Sequence, residues 1–73
     1  MMETITITTE YIRLQDLLKL SAAVGTGGEA KQAIQSGQVQ LNGAVCTQRG
    51  KKLRAGDVVL FQNRQYTVAY AEQ

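Results

Sequence analysis

The sequence predicts an α+β domain in which two short helices pack as a pair on one side of a small, mostly antiparallel sheet of about four or five short strands. Three observations carry this reading. Apolar residues recur at helical spacing in two neighbouring stretches, Leu14 to Val24 and Ala30 to Ile34. Short runs rich in β-branched and apolar residues occur once before these helices and repeatedly after them. Turn signals divide the later runs at Asn42-Gly43, Ala55-Gly56-Asp57 and Gln62-Asn63-Arg64.

Thr4 to Thr9 alternates threonine with Ile5 and Ile7, a pattern that favours a strand. From Leu14 the period changes: Leu14, Leu17, Leu18, Ser21 and Val24 share one helical face, with Leu20 and Ala22 at its edges. Asp16 near the start suits the positive end of the helix dipole. Gly25 is the expected stop, which leaves only Gly25 and Thr26 before the second helix.

Thr26 and Glu29 have the spacing of a capping box, in which each side chain satisfies a backbone donor at the helix start. Ala30, Ala33 and Ile34 form a narrow face of mostly small residues that lets the helix approach its support closely. Gly37 is the expected left-handed stop. Val39 and Leu41 then alternate with glutamines into the Asn42-Gly43 hairpin turn. Ala44 to Thr47 is the returning strand, Val58 to Phe61 a continuous apolar run expected to be buried, and Gln65 to Tyr70 a strand with Tyr66, Val68 and Tyr70 on one face.

With 73 residues the chain is expected to be one domain covering 1–73. At this size about 60% of the unfolded surface is buried, so stability is modest. No stretch reaches the roughly 20 apolar residues of a membrane span, and the N-terminus lacks the basic and apolar regions of a signal peptide. A single cysteine allows no internal disulfide, which points to the cytoplasm.

Charge is unevenly spread. The formal net charge is +2. Residues 1–30 hold two basic and four acidic side chains, and residues 31–64 hold six basic and one acidic, a local excess of +5. Four of the six residues from 49 to 54 are cationic: Arg49, Lys51, Lys52 and Arg54. Such an excess makes a positive surface suited to an anionic partner.

Catalysis is not expected. The chain has no histidine, hence neither the commonest general base nor the commonest metal ligand. Cys46 has no thiol or imidazole partner and reads as a small strand residue. Gly27-Gly28 lacks the spacing of a nucleotide-binding loop. No cofactor, metal or small-molecule substrate is therefore expected. Gly27-Gly28 does leave backbone N–H groups open at the start of the second helix, where phosphate is favoured, with Lys31 one turn further on.

The series Arg13-Leu14, Leu17-Leu18, Glu29-Ala30-Lys31, Ile34, Gly37-Gln38-Val39, Leu41-Asn42-Gly43 and Gly56-Asp57-Val58 resembles the alpha-L RNA-binding domain, the family named after ribosomal protein S-four. The match runs over residues 12–61 in the expected order, and the chain is similar to the short stand-alone bacterial members of the YaaA/YbcJ type. The resemblance implies a non-catalytic module that binds structured RNA, ribosomal RNA foremost, through phosphates and shape. It places the first helix start, the second helix and the following loop on the RNA, which points to Arg13, Gly27, Gly28, Lys31, Arg49, Lys51, Lys52 and Arg54. Many relatives carry Ser-Arg where this chain has Gly27-Gly28, and arginine is common at the position of Lys31. An ammonium loses the bidentate phosphate contact of a guanidinium, which open glycine N–H groups would partly replace.

Base stacking is a weaker expectation, because Tyr66 and Tyr70 sit in a strand expected to pack. An adaptor binding a ribosomal protein or an assembly factor is the alternative, and DNA in place of RNA stays open. A ubiquitin-like sulfur carrier is disfavoured, since the chain ends Ala71-Glu72-Gln73 where such carriers need Gly-Gly.

Overall fold

A computed structural model describes residues 2–72. The elements are β1 (Met2–Ile7), β2 (Ile12–Arg13), α1 (Leu14–Leu20), α2 (Gly27–Gln35), β3 (Val39–Leu41), β4 (Ala44–Val45), β5 (Lys52–Leu53), β6 (Val58–Phe61) and β7 (Arg64–Tyr70). Five strands form one sheet in the order β1-β7-β6-β3-β4, and β2 and β5 form a separate two-stranded ribbon. Every neighbouring pair is antiparallel except β1 and β7, which run parallel from Met2 opposite Gln65 to Ile7 opposite Tyr70.

The register puts one face of the sheet against the helices. Ile5 lies opposite Val68, and Leu41, Val59 and Tyr66 follow one another across β3, β6 and β7. These meet Leu14, Leu17 and Leu18 of α1 and Ala30, Ala33 and Ile34 of α2 in a single core. Each large aliphatic side chain buried there contributes about 1.5–3 kcal/mol, the main term holding so small a domain together. Leu53 of the ribbon is also fully buried, so the ribbon is pinned to the core by its inward residue.

Helix α2 starts and stops as its sequence predicts. Glu29 N–H donates to Thr26 Oγ1 at 3.1 Å, and the Thr26 hydroxyl lies 3.4 Å from Glu29 Oε1. The second half of the expected box thus joins the two side chains instead of reaching the Thr26 backbone. At the other end Gly37 takes φ +83°, and Gly37 and Gln38 N–H donate to the carbonyls of Ile34 and Ala33. The Asn42-Gly43 turn has both central residues at positive φ, as a tight hairpin between β3 and β4 requires.

Five expectations change. The first strand lies at Met2–Ile7, two residues before the expected Thr4–Thr9, because the chain leaves the sheet after Ile7 to make the β2 ribbon. Helix α1 ends at Leu20, well short of Gly25. Ala22 adopts φ +61°, and the N–H groups of Ala22 and Ala23 donate to Lys19 and Leu18 carbonyls in a Schellman closure. Six residues, Ser21 to Thr26, therefore join the helices where two were expected, and Val24 reaches the core from a loop. Strand β4 covers only Ala44–Val45 of the expected Ala44–Thr47. In β6 burial alternates: Val59 and Phe61 are inside while Leu60 is exposed on the open face of the sheet. Tyr70 likewise shares the parity of Tyr66 and Val68 but lies exposed near the chain end.

Candidate nucleic-acid interface

The basic run folds back onto the start of α1. Strand β5 pairs with β2 through Ile12 opposite Leu53 and Arg13 opposite Lys52. Leu53 and Ile12 turn towards the core, so Arg13 and Lys52 share the outward face of the ribbon. Leu14 N–H donates to the Lys51 carbonyl at 2.9 Å and Gln15 N–H to the Arg49 carbonyl at 3.0 Å. Two donors that a helix start leaves unpaired are thereby satisfied by the backbone of the basic run. Arg13 Nη1 donates to the Gly50 carbonyl at 3.1 Å. Carbonyls therefore point inward at α1, and the exposed side chains of Arg49, Lys51 and Lys52 stand outside.

Arg54 follows the ribbon into the Gly56-Asp57 turn. Its N–H donates to Asp57 Oδ2 at 2.8 Å, while its side chain is exposed. Arg13, Arg49, Lys51, Lys52 and Arg54 thus occupy one ribbon and its two ends. No carboxylate comes within ion-pair distance of these five side chains among the described residues; the Asp16–Lys19 pair on α1, at 3.4 Å, is the ion pair found there.

Gly27, Gly28 and Lys31 stand apart from this cluster. All three are exposed. The ribbon meets α1 at its N-terminus, whereas Gly27 follows the far end of α1, a helix of seven residues and thus about 10 Å. A Cβ at Gly27 would meet nothing within 4 Å, and one at Gly28 only Thr26 Oγ1 at 3.9 Å. The start of α2 is therefore open to solvent. Glu29 stands beside it with its carboxylate near Thr26, which lowers its attraction for an anion.

One further residue, which the sequence alone does not single out, belongs to this surface. Tyr11 directly precedes β2, two residues before Arg13, and its ring lies on the same side as Arg13 and Lys52. Lys52 Nζ stands 4.8 Å from the Tyr11 ring centroid and Arg13 Cζ 5.7 Å from it, both within cation–π range. An aromatic thus sits inside the cationic cluster. The alternation Tyr11-Ile12-Arg13 is its only local signal, and without the β5 partner it is indistinguishable from a loop.

Among the described residues no group of three or more His, Cys, Asp or Glu side chains gathers to hold a metal ion, and no helix is long and apolar enough to cross a membrane. The opposite face of the five-stranded sheet carries no charge along Gln40, Leu60 and Gln65, which continue into Val45 and Met2 at the two edges.

Comparison with known proteins places these features in a family. The profile of a family described as the S4 domain matches residues 5–69. YbcJ of Escherichia coli, named as a candidate RNA-binding protein, is 41% identical over 58 residues, which are 80% of this chain and 83% of that protein. RlbA of Bacillus subtilis, named as a candidate ribosome maturation protein, is 42% identical over 55 residues, 75% of this chain and 78% of that protein. The solution structure of Escherichia coli YbcJ, described as revealing an alpha-L motif involved in RNA binding, superimposes with a TM-score of 0.70 at 37% identity, covering 90% of this chain and 85% of that one.

Proposed function

The chain belongs to the S4 domain family, and from that premise we propose that it works as a single non-catalytic domain that binds structured RNA, ribosomal RNA foremost, during ribosome assembly or translation. The observation that carries the reading is the β2–β5 ribbon. It ties the backbone of the basic run to α1 and leaves Arg49, Lys51, Lys52 and Arg54 exposed, with the half-buried Arg13 beside them.

The chemistry suits duplex RNA. The major groove of A-form RNA is too deep and narrow for side chains, so a small module meets phosphates and ribose across the shallow groove. Cations held on a fixed ribbon reach such phosphates with little ordering cost. Gly27, Gly28 and Lys31 form the second contact, offering open N–H groups and one charge on the first turns of α2, after the end of α1 that the ribbon does not meet. This spacing suits a partner with more than one phosphate strand within reach. The relative named for ribosome maturation supports the choice of ribosomal RNA.

The test is equilibrium binding to ribosomal RNA hairpins over a range of salt, with crosslinking in cells and sequencing of the bound RNA. With about 3 to 5 phosphates contacted, log K should fall with log salt at a slope of about −2 to −4. Binding that ignores salt, or crosslinks free of ribosomal RNA, overturns the reading.

The uncharged open face of the sheet favours a second reading, an adaptor that binds a ribosomal protein or assembly factor. Partners that stay bound after nuclease treatment support it. Partners lost with the RNA support the first.

A further inference from the structure

An open hollow of about 440 Å³ lies beside the ribbon, lined by Thr9, Tyr11, Ile12, Arg13 and Asp16. Its chemistry differs from that of a phosphate site. Tyr11 offers an aromatic ring that already carries Lys52 and Arg13 against it, and Arg13 a planar guanidinium; these are the two side-chain surfaces on which an unstacked RNA base lies best. Ile12 adds an apolar wall. Asp16 adds a carboxylate, which repels phosphate but accepts hydrogen bonds from the amino groups of bases. Its ion pair with Lys19 is half exposed at 3.4 Å and therefore weak, so its oxygens stay available. Thr9 Oγ1 donates to the Tyr11 carbonyl at 2.8 Å, fixing the segment that carries the ring.

We propose that this hollow receives one unpaired RNA base bearing an exocyclic amine, stacked against Tyr11 and hydrogen-bonded to Asp16, with Lys52 meeting a flanking phosphate. The inference rests on the RNA-binding reading above and adds what that reading lacks. Phosphate contacts alone let a small module sit anywhere along an A-form helix. One extruded base in the hollow fixes its position, and the carboxylate selects adenine, cytosine or guanine over uracil.

The experiment measures binding of the whole chain to one hairpin RNA in four versions: fully paired, with a single bulged adenine, with a bulged uracil, and with an abasic bulge. The bulged adenine should bind about 10-fold tighter than the paired and abasic hairpins, the scale of one base–aromatic stack, with uracil between. Tyr11→Leu, which keeps apolar bulk, should erase this difference and leave the salt slope unchanged, while Tyr11→Phe should preserve it. Asp16→Asn should narrow the preference for adenine over uracil. Equal binding of all four hairpins by the native chain overturns the inference and leaves the phosphate reading standing, as does an equal loss on all four from Tyr11→Leu. Failure to bind any hairpin overturns both.

Discussion

The Asn42 side chain donates through Nδ2 to Asp57 Oδ1 at 3.1 Å, joining two turns that lie fifteen residues apart. Asn42 Oδ1 accepts from Val58 N–H at 2.9 Å, and Asn42 N–H donates to the Val58 carbonyl at 2.7 Å. Asp57 uses its other oxygen to accept from Arg54 N–H. The Asn-Gly and Gly-Asp pieces of the family pattern are thus one structural clamp, which fixes where the basic run ends.

Asn42→Ala should therefore destabilise the domain by about 1–3 kcal/mol, through the removal of two side-chain hydrogen bonds and the loss of asparagine's tolerance of positive φ. Denaturant unfolding measures this. Asn42→Gly relieves the backbone strain but removes the same bonds, so it should lie between alanine and the native chain. A midpoint unchanged in both variants would show that the clamp contributes nothing to stability.

Ala22→Gly should act in the opposite direction. Ala22 closes α1 at φ +61°, a conformation that glycine adopts without the clash of a Cβ. The expected gain is about 0.5–1 kcal/mol. In a domain of this size that raises the thermal midpoint by about 2–8 °C. A lower midpoint would mean that the closure is not limited by the alanine backbone.

These two positions also show what the sequence made legible. Asn42-Gly43, Gly37 and the Thr26–Glu29 cap were readable because each acts through neighbours within a few residues. Ala22 was not, since alanine is the best helix former and nothing local marks its left-handed turn, which leads Ala23 and Val24 to the core. The ribbon was hidden because each strand is two residues long and its partner lies about forty residues away. That long separation also leaves Tyr11 and the basic run without any local sign of the pairing that joins them. The charges of the candidate site were legible, and their anchoring was not.

Tyr66→Phe should be neutral or slightly stabilising. Tyr66 is fully buried in β7, and its hydroxyl has no hydrogen-bond partner among the described residues. A buried hydroxyl without a partner costs about 1–3 kcal/mol in desolvation, which phenylalanine avoids while keeping the ring. A clear loss of stability in the phenylalanine variant would reveal that the hydroxyl is satisfied.

Alanine at Arg49, Lys51, Lys52 and Arg54 together should remove RNA binding while the domain stays folded. The separation is expected because α1 is capped by the carbonyls of Arg49 and Lys51, which alanine retains, and because buried Leu53 is untouched. At low salt the affinity should fall by at least about 10-fold, and the salt slope should flatten by about one unit for each phosphate no longer neutralised. Unchanged affinity in a variant with a native circular dichroism spectrum would remove these four residues from the interface.

Gly27→Ala and Gly28→Ala separate a turn from a contact. Both positions lie in the first turn of α2 with room for a Cβ, so alanine should raise stability by about 0.5 kcal/mol each through reduced freedom of the unfolded chain. If the glycines serve only to join the helices, RNA affinity should follow stability and stay level or improve. The interface proposed above requires the reverse: a phosphate drawn onto the open N–H groups meets the new methyl, and affinity falls several-fold in a more stable protein. Lys31→Ala supplies the matching control, since removing one charge should reduce the salt slope by about one unit or less with little change in stability. A stabilised double alanine variant with native affinity and an unchanged slope for Lys31→Ala would confine the interface to the β2–β5 ribbon.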